Sequence, residues 1–183
     1  PCTTSITGCT NEGKVESIAK GNHTYTAGIC IIYNGSNGST YADELIINNC
    51  VNNGEIEGDT VAGIIGNSSG NLKLSDCENN GAINGRYSAG GIAQCIENKN
   101  SNEAEVSNCI NNGNVFGGAE AAGIIDYAEG KTVTNCINNG NISSNGYVGG
   151  IFSYTSSVKG TGLVNNGKIS GLEDIGGISA YDE

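Results

Sequence analysis

At 183 residues the chain has the length of one ordinary domain. Its net charge of −11, from 8 Lys+Arg against 19 Asp+Glu, excludes the clustered basic charge that nucleic acid or an anionic membrane demands of a partner, and no apolar run approaches the ~20 residues of a membrane-spanning helix. The 30 Gly residues are too many for a helical protein, where each costs roughly 1 kcal/mol, and they follow no collagen-like Gly-X-Y period.

In chain order, the sequence repeats itself six times. The motif C-x-N-N-G-x-[I/V] begins at Cys50, Cys77, Cys109 and Cys136; a variant with Glu12 in the fourth place begins at Cys9, and the last copy has Leu163 in place of Cys. Each copy is followed by [A/G]-G-I, ending at Ile29, Ile64, Ile92, Ile124, Ile151 and Ile178. Successive starts lie 41, 27, 32, 27 and 27 residues apart. The unit is therefore 27 residues long, and the surplus falls before and after Ile29 and after Ile92. Insertions confined to such fixed points are loops at fixed corners.

Within the motif the constant residues fall at every second position, as in Cys136, Asn138, Gly140 and Ile142, with variable, mostly polar residues between them. A period of two is a strand with one face inward, and no unit carries the 3.6-residue apolar pattern of a helix. The Asn-Gly pairs are expected to supply the left-handed backbone of a sharp corner. Together these features predict an all-β fold, a single-domain parallel β-solenoid over residues 1–183 with six coils and two or three strands in each. Coils ~4.8 Å apart would stack equivalent side chains. Cys9, Cys50, Cys77, Cys109, Cys136 and Leu163 would form one interior column. Val15, Ile56, Ile83, Val115, Ile142 and Ile169 would form a second, and the Ile of [A/G]-G-I a third. Asn11, Asn52, Asn79, Asn111, Asn138 and Asn165 would form an amide ladder, since a buried amide must be paired.

The [A/G]-G-I half with the C-x-N-N-G-x-I half resembles the GLUG-motif repeats of bacterial surface proteins. Gly63-Ile64-Ile65-Gly66 comes nearest to the G-L-x-G form. The resemblance implies a secreted or surface-displayed β-solenoid serving as spacer or interaction module. Some proteins with such repeats are metallopeptidases, but H-E-x-x-H zinc chemistry needs two His and this chain has only His23.

Stacked cysteines whose Cβ atoms point the same way bridge poorly, so the column reads as buried thiols acting as small apolar residues. With no C-x-x-C spacing, neither metal nor other cofactor is expected. Cys2, Cys30 and Cys95 lie off the column, and Cys2 could bridge Cys30 or Cys9. Tyr127, Tyr154 and Tyr181 follow the last three [A/G]-G-I motifs at one spacing. They are expected to stack face to edge, either as structural support or as a sugar-stacking strip with Asp126 and Ser153 beside it as hydrogen-bonding groups. Facing outward with Ile125 and Phe152, they would form an apolar patch open to a partner. The corner insertions Tyr33–Glu44 and Glu97–Glu105 are expected to project from one edge, where Asp43, Glu44, Glu103 and Glu105 offer calcium-type oxygens without a regular spacing.

An enzyme would need paired carboxyls. Glu55 and Glu57, with Glu16 and Lys14 one unit away, read instead as a mixed solvated face, and Arg86 is the only Arg. An ice-binding array would need regular outward Thr, which Lys14, Glu55, Ala82, Asn114, Asn141 and Lys168 do not supply. The expectation is a non-catalytic extracellular adhesin or spacer, part of a longer surface protein. It would bind a host glycan or surface protein and contact neighbouring domains of the same chain. The alternative is a carbohydrate-active β-helix enzyme.

Overall fold

The computed structural model describes residues 3–19, 21, 24–31, 44–97 and 104–183. Among them the chain is all β, without a helix, and every strand pairing is parallel. Four sheets form, and each collects strands from successive repeat units. Sheet A holds Thr3–Thr7, Glu44–Asn48, Leu72–Ser75, Ala104–Ser107, Thr132–Thr134 and Lys159–Thr161. Sheet B holds the two-residue strands that end in the ladder asparagines, from Thr10–Asn11 to Val164–Asn165. Sheet C takes two strands from most units, such as Val115–Gly117 and Glu120–Ala122. In the second and third units these fuse into Ile56–Ala62 and Ile83–Gly90, which tie the sheet together. Sheet D holds Ile65–Ser69, Ala93–Glu97, Ile125–Glu129, Phe152–Ser156 and Ser179–Asp182. The unit thus breaks into more pieces than two or three strands, because Gly and Asn interrupt the chain every few residues.

The register is the one the repeat dictates. Asn11 pairs with Asn52, Asn52 with Asn79, and so on to Asn165. Ile56, Ile83, Val115, Ile142 and Ile169 align in sheet C, and the isoleucines of [A/G]-G-I are joined by backbone bonds such as Ile92 N–H to Ile124 O at 3.0 Å. The cysteine column is in single file, with Cys50, Cys77, Cys109 and Cys136 fully buried and Cys9 exposed in the first unit. Each thiol donates to the carbonyl two residues before it, for example Cys77 to Ser75 at 3.2 Å. Hydrogen bonding with Cys136 and Cys77, together with burial, holds the Cys109 thiol well above its ordinary range, so it stays protonated at neutral pH. All seven described cysteines are free, so neither Cys9 nor Cys30 is bridged; Cys2 lies outside the described residues.

The left-handed corner is not at Asn-Gly. It sits one residue before each column position, at Gly8, Asn49, Asp76, Asn108, Asn135 and Gly162, with φ of 54° at the four Asn and Asp residues. Only Gly, Asn and Asp adopt this region at low cost. The Asn-Gly glycines are needed for a different reason. A Cβ on Gly113 would lie 1.9 Å from the Gly81 carbonyl oxygen, and Gly54, Gly81, Gly140 and Gly167 repeat the clash. Neighbouring units approach there too closely for any side chain.

The two sequence motifs meet inside the molecule. The second glycine of [A/G]-G-I packs on the ladder amide of the following unit, so that a Cβ on Gly91 would lie 2.6 Å from Asn111 Cγ. This polar seam coincides with a division of the apolar interior. One core gathers the cysteines, the [A/G]-G-I isoleucines and the inward residues of sheets A and D. The other, within sheet C, holds Ile56, Ile83, Val115, Ile142, Val61, Ala89, Ala121 and Val148.

Candidate functional site

The asparagine ladder faces inward and is completely paired. Each Nδ2 from Asn11 to Asn138 donates to Oδ1 of the next ladder asparagine at 2.7 Å and also to the carbonyl two residues ahead, as Asn111 does to Gly113 at 2.8 Å. A second, outward ladder runs beside it through Asn53, Asn80, Asn112, Asn139 and Asn166, with its amides donating in the opposite direction. The repeated N-N signals both ladders, one on each face of the strand. With both N–H groups bonded and the side chains buried, the inner amides have no donor left for a ligand, so the inner ladder is structural.

The three expected tyrosines do come together. Tyr127, Tyr154 and Tyr181 are in register on sheet D. Their rings are stacked parallel, however, not face to edge: 4.9 Å and 6° for the first pair, 5.2 Å and 22° for the second. Adjacent parallel strands place identical side chains about 4.8 Å apart, a spacing that allows only stacked planes. Tyr147, from sheet C, leans on Tyr181 at 6.2 Å and 54°. The Tyr154 hydroxyl donates to Glu183, which pushes its pKa up to about 12. Tyr127 and Tyr154 are half-buried and Tyr181 is exposed.

The companions expected on this strip are elsewhere. Ile125 and Phe152 point inward into the core, so they form no outward patch. Asp126 and Ser153 are buried and bonded to each other: Ser153 Oγ donates to the Asp126 carboxylate and to its backbone oxygen. Gln94 Nε2 donates to Asp126 Oδ2 at 3.1 Å and to Ser88 Oγ at 3.1 Å. Burial, then the charge of Glu120, raises the Asp126 carboxyl to about 7 against the bonds it accepts. Burial raises Glu120 as well.

Above this polar floor lies an open groove of ≈ 180 Å³ at the junction of sheets C and D. Tyr25, Tyr87 and Tyr127 supply aromatic walls, and Thr60, Ser88, Gln94, Cys95, Glu97 and Glu120 supply the polar lining. Thr60 Oγ1 and Gln94 Oε1 are buried without a hydrogen-bond partner. Apart from Tyr127, Cys95 and Glu97, none of these residues stands out in the sequence, yet a signal exists. Tyr25, Thr60, Ser88 and Glu120 all lie four residues before the Ile of [A/G]-G-I, and Gln94, Asp126 and Ser153 two after it. In the third and fourth units, which line the groove, both positions carry polar residues where the cysteine and isoleucine columns are apolar.

The remaining sequence candidates separate. Lys14 pairs with Glu57 at 2.7 Å and with Glu16 at 3.7 Å, and Glu55 accepts from Asn84 at 2.9 Å, so this surface is a mixed charged face. Arg86 binds Asp59 at 2.6 Å and the carbonyls of Ser17 and Ala19, holding the first unit's insertion against the sheet. Glu44 pairs with Lys73 at 2.6 Å. Asp43 and Glu103, like His23 and most of both insertions, lie outside the described residues. Among the described residues no group of three His, Cys, Asp or Glu is placed to hold a metal ion. No family model, curated protein or solved structure matches the chain.

Proposed function

We propose that this chain is a non-catalytic bacterial surface module. In this reading it is a parallel β-solenoid of six coils, of the kind the GLUG-like motifs imply, displayed outside the cell as an adhesin or spacer. Support for the solenoid comes from every sheet being parallel and drawing its strands in order from successive units. One observation carries the adhesive role: the row of three tyrosines on sheet D, ending in the exposed ring of Tyr181. Stacked rings cover one another's inner faces, so the row offers a ligand ring edges and hydroxyls along its length and a terminal ring at each end, Tyr181 exposed and Tyr127 lining the groove. A host glycan or a polar protein surface matches that presentation.

The alternative, a carbohydrate-active enzyme, draws on the unlike carboxyls Asp126 and Glu120, a pairing that glycosidases use. A catalytic acid must touch its substrate, and Asp126 has no exposed surface, lying bonded to Gln94 and Ser153. The non-catalytic reading is therefore preferred. A glycan array probed with the wild type and with the Tyr127→Ala, Tyr154→Ala, Tyr181→Ala triple variant tests it. Binding by the wild type that disappears in the folded variant supports the adhesive strip. Absence of any wild-type binding removes the glycan role and leaves the spacer.

A further inference from the structure

The groove at the junction of sheets C and D has a chemical character that the glycan reading does not use. Among its lining residues are two carboxylates, Glu97 and Glu120, three tyrosine rings, and no Lys or Arg. Two nearly buried side chains at its wall carry unmatched polar atoms: Gln94, 7% exposed, leaves Oε1 without a partner, and Thr60, 3% exposed, leaves Oγ1 without one. Asp126 lies beneath, bonded to Gln94. The lining thus carries two carboxylates and an unmatched amide oxygen, beside hydroxyls that can donate or accept. Its nearest charged amine, the buried Lys131, acts on the Glu97 side rather than at Glu120. The complement of this lining is a ligand that brings donors and positive charge together, and aromatic faces favour the same species through cation–π attraction. A metal ion fits poorly, since no metal-competent cluster exists among the described residues.

We propose that this groove binds an organic ammonium group, an alkylammonium such as a lysine side chain presents, held between the tyrosine rings, with Glu120 as counter-ion and Gln94 Oε1 as acceptor. The site shares Tyr127 with the tyrosine row but does not rest on the glycan reading, since Glu120 and Gln94 lie outside that row. A bound cation favours ionised carboxyls, and Asp126, whose pKa of about 7 reflects burial and the Glu120 charge, answers to it. The other titratable groups on the strands packed around Asp126 are Cys95 and Glu97, Tyr154, and Arg86 and Tyr87. Arg86 is engaged by Asp59. Binding therefore releases protons near neutrality, and affinity falls as pH drops below about 7, by up to about tenfold per pH unit.

Isothermal titration of the full chain with pentylammonium, with 1-pentanol as the neutral isostere, tests the site. The ammonium is expected to bind at pH 8 at least about tenfold more tightly than the alcohol, with proton release detected by repeating the titration in buffers of different ionisation enthalpy. Glu120→Gln is isosteric and removes a charge that burial disfavours, so it keeps the fold, which far-UV circular dichroism checks; it is expected to weaken the ammonium at least about tenfold. N-acetyl-lysine methylamide distinguishes the sources: binding equal to or tighter than pentylammonium identifies a peptide lysine, and weaker binding a free amine. Equal affinity for pentylammonium and pentanol, no binding of either, or an unchanged affinity in Glu120→Gln would overturn the proposal.

Discussion

At the scale of the residue, Asp126 sets the sharpest expectation. Its folded pKa of about 7 lies above the ordinary carboxyl value of 3.8, so the fold favours the protonated form. Stability is then greatest below pH 4 as far as this group is concerned, declines as pH rises from 4 to 7, and levels off above. The difference is roughly 4 kcal/mol, and Glu120, also raised by burial, acts in the same direction. Urea unfolding of Asp126→Asn from pH 4.5 to 8.5 is expected to lose most of this slope and to exceed the wild type in stability at pH 8. A slope unchanged by the substitution would show that the carboxyl is not buried as described. The sequence placed Asp126 beside the tyrosines but not beneath the surface. An extended strand turns successive side chains to opposite faces, and whether the outer one meets solvent depends on how sharply sheets C and D meet.

At the scale of the element, the two asparagine ladders offer a built-in contrast. Asn111 gives both amide bonds to buried carbonyl oxygens and accepts one from Asn79. Asn111→Ala strands these groups away from water, and at 1–3 kcal/mol for each lost buried partner the cost is at least about 3 kcal/mol. Asn112→Ala, one position along on the exposed ladder, is expected to cost less than about 0.5 kcal/mol. Thermal or urea denaturation of the pair checks the difference, and similar losses in both would contradict the inward assignment. The inner ladder was legible because repetition of Asn at a fixed place has few other causes, whereas the outer one emerged only with the structure. The corner was misread: Asn-Gly is a familiar turn dipeptide, but here its glycine answers a clash between units, which a single strand cannot reveal.

At the scale of the molecule, each sheet is a set of equivalent strands and the corners are free to differ. The first and third units carry extra residues between sheets D and A, and the fifth makes the same connection at Ser156–Ser157. Lengthening an exposed loop costs only the entropy of a longer closure. Five Gly and Ser residues inserted between Ser156 and Ser157 are therefore expected to lower stability by less than about 1 kcal/mol. One residue inserted between Ile137 and Asn138 would throw the ladder and both cores out of register and unfold the chain. Urea midpoints of the two variants check this, and equal losses would refute it.

What the sequence determined alone is the register: which residues lie beside which in neighbouring units. A 27-residue period marks equivalent positions, and parallel pairing of equivalent strands then follows from the repeat. Only the tertiary structure decided depth. It split the interior into two cores along the Asn–Gly seam, closed Asp126 under Gln94, and left a groove lined by side chains from four units. Those outcomes depend on the angles between sheets, and the angles arise from contacts across the cross-section that no period along the chain encodes.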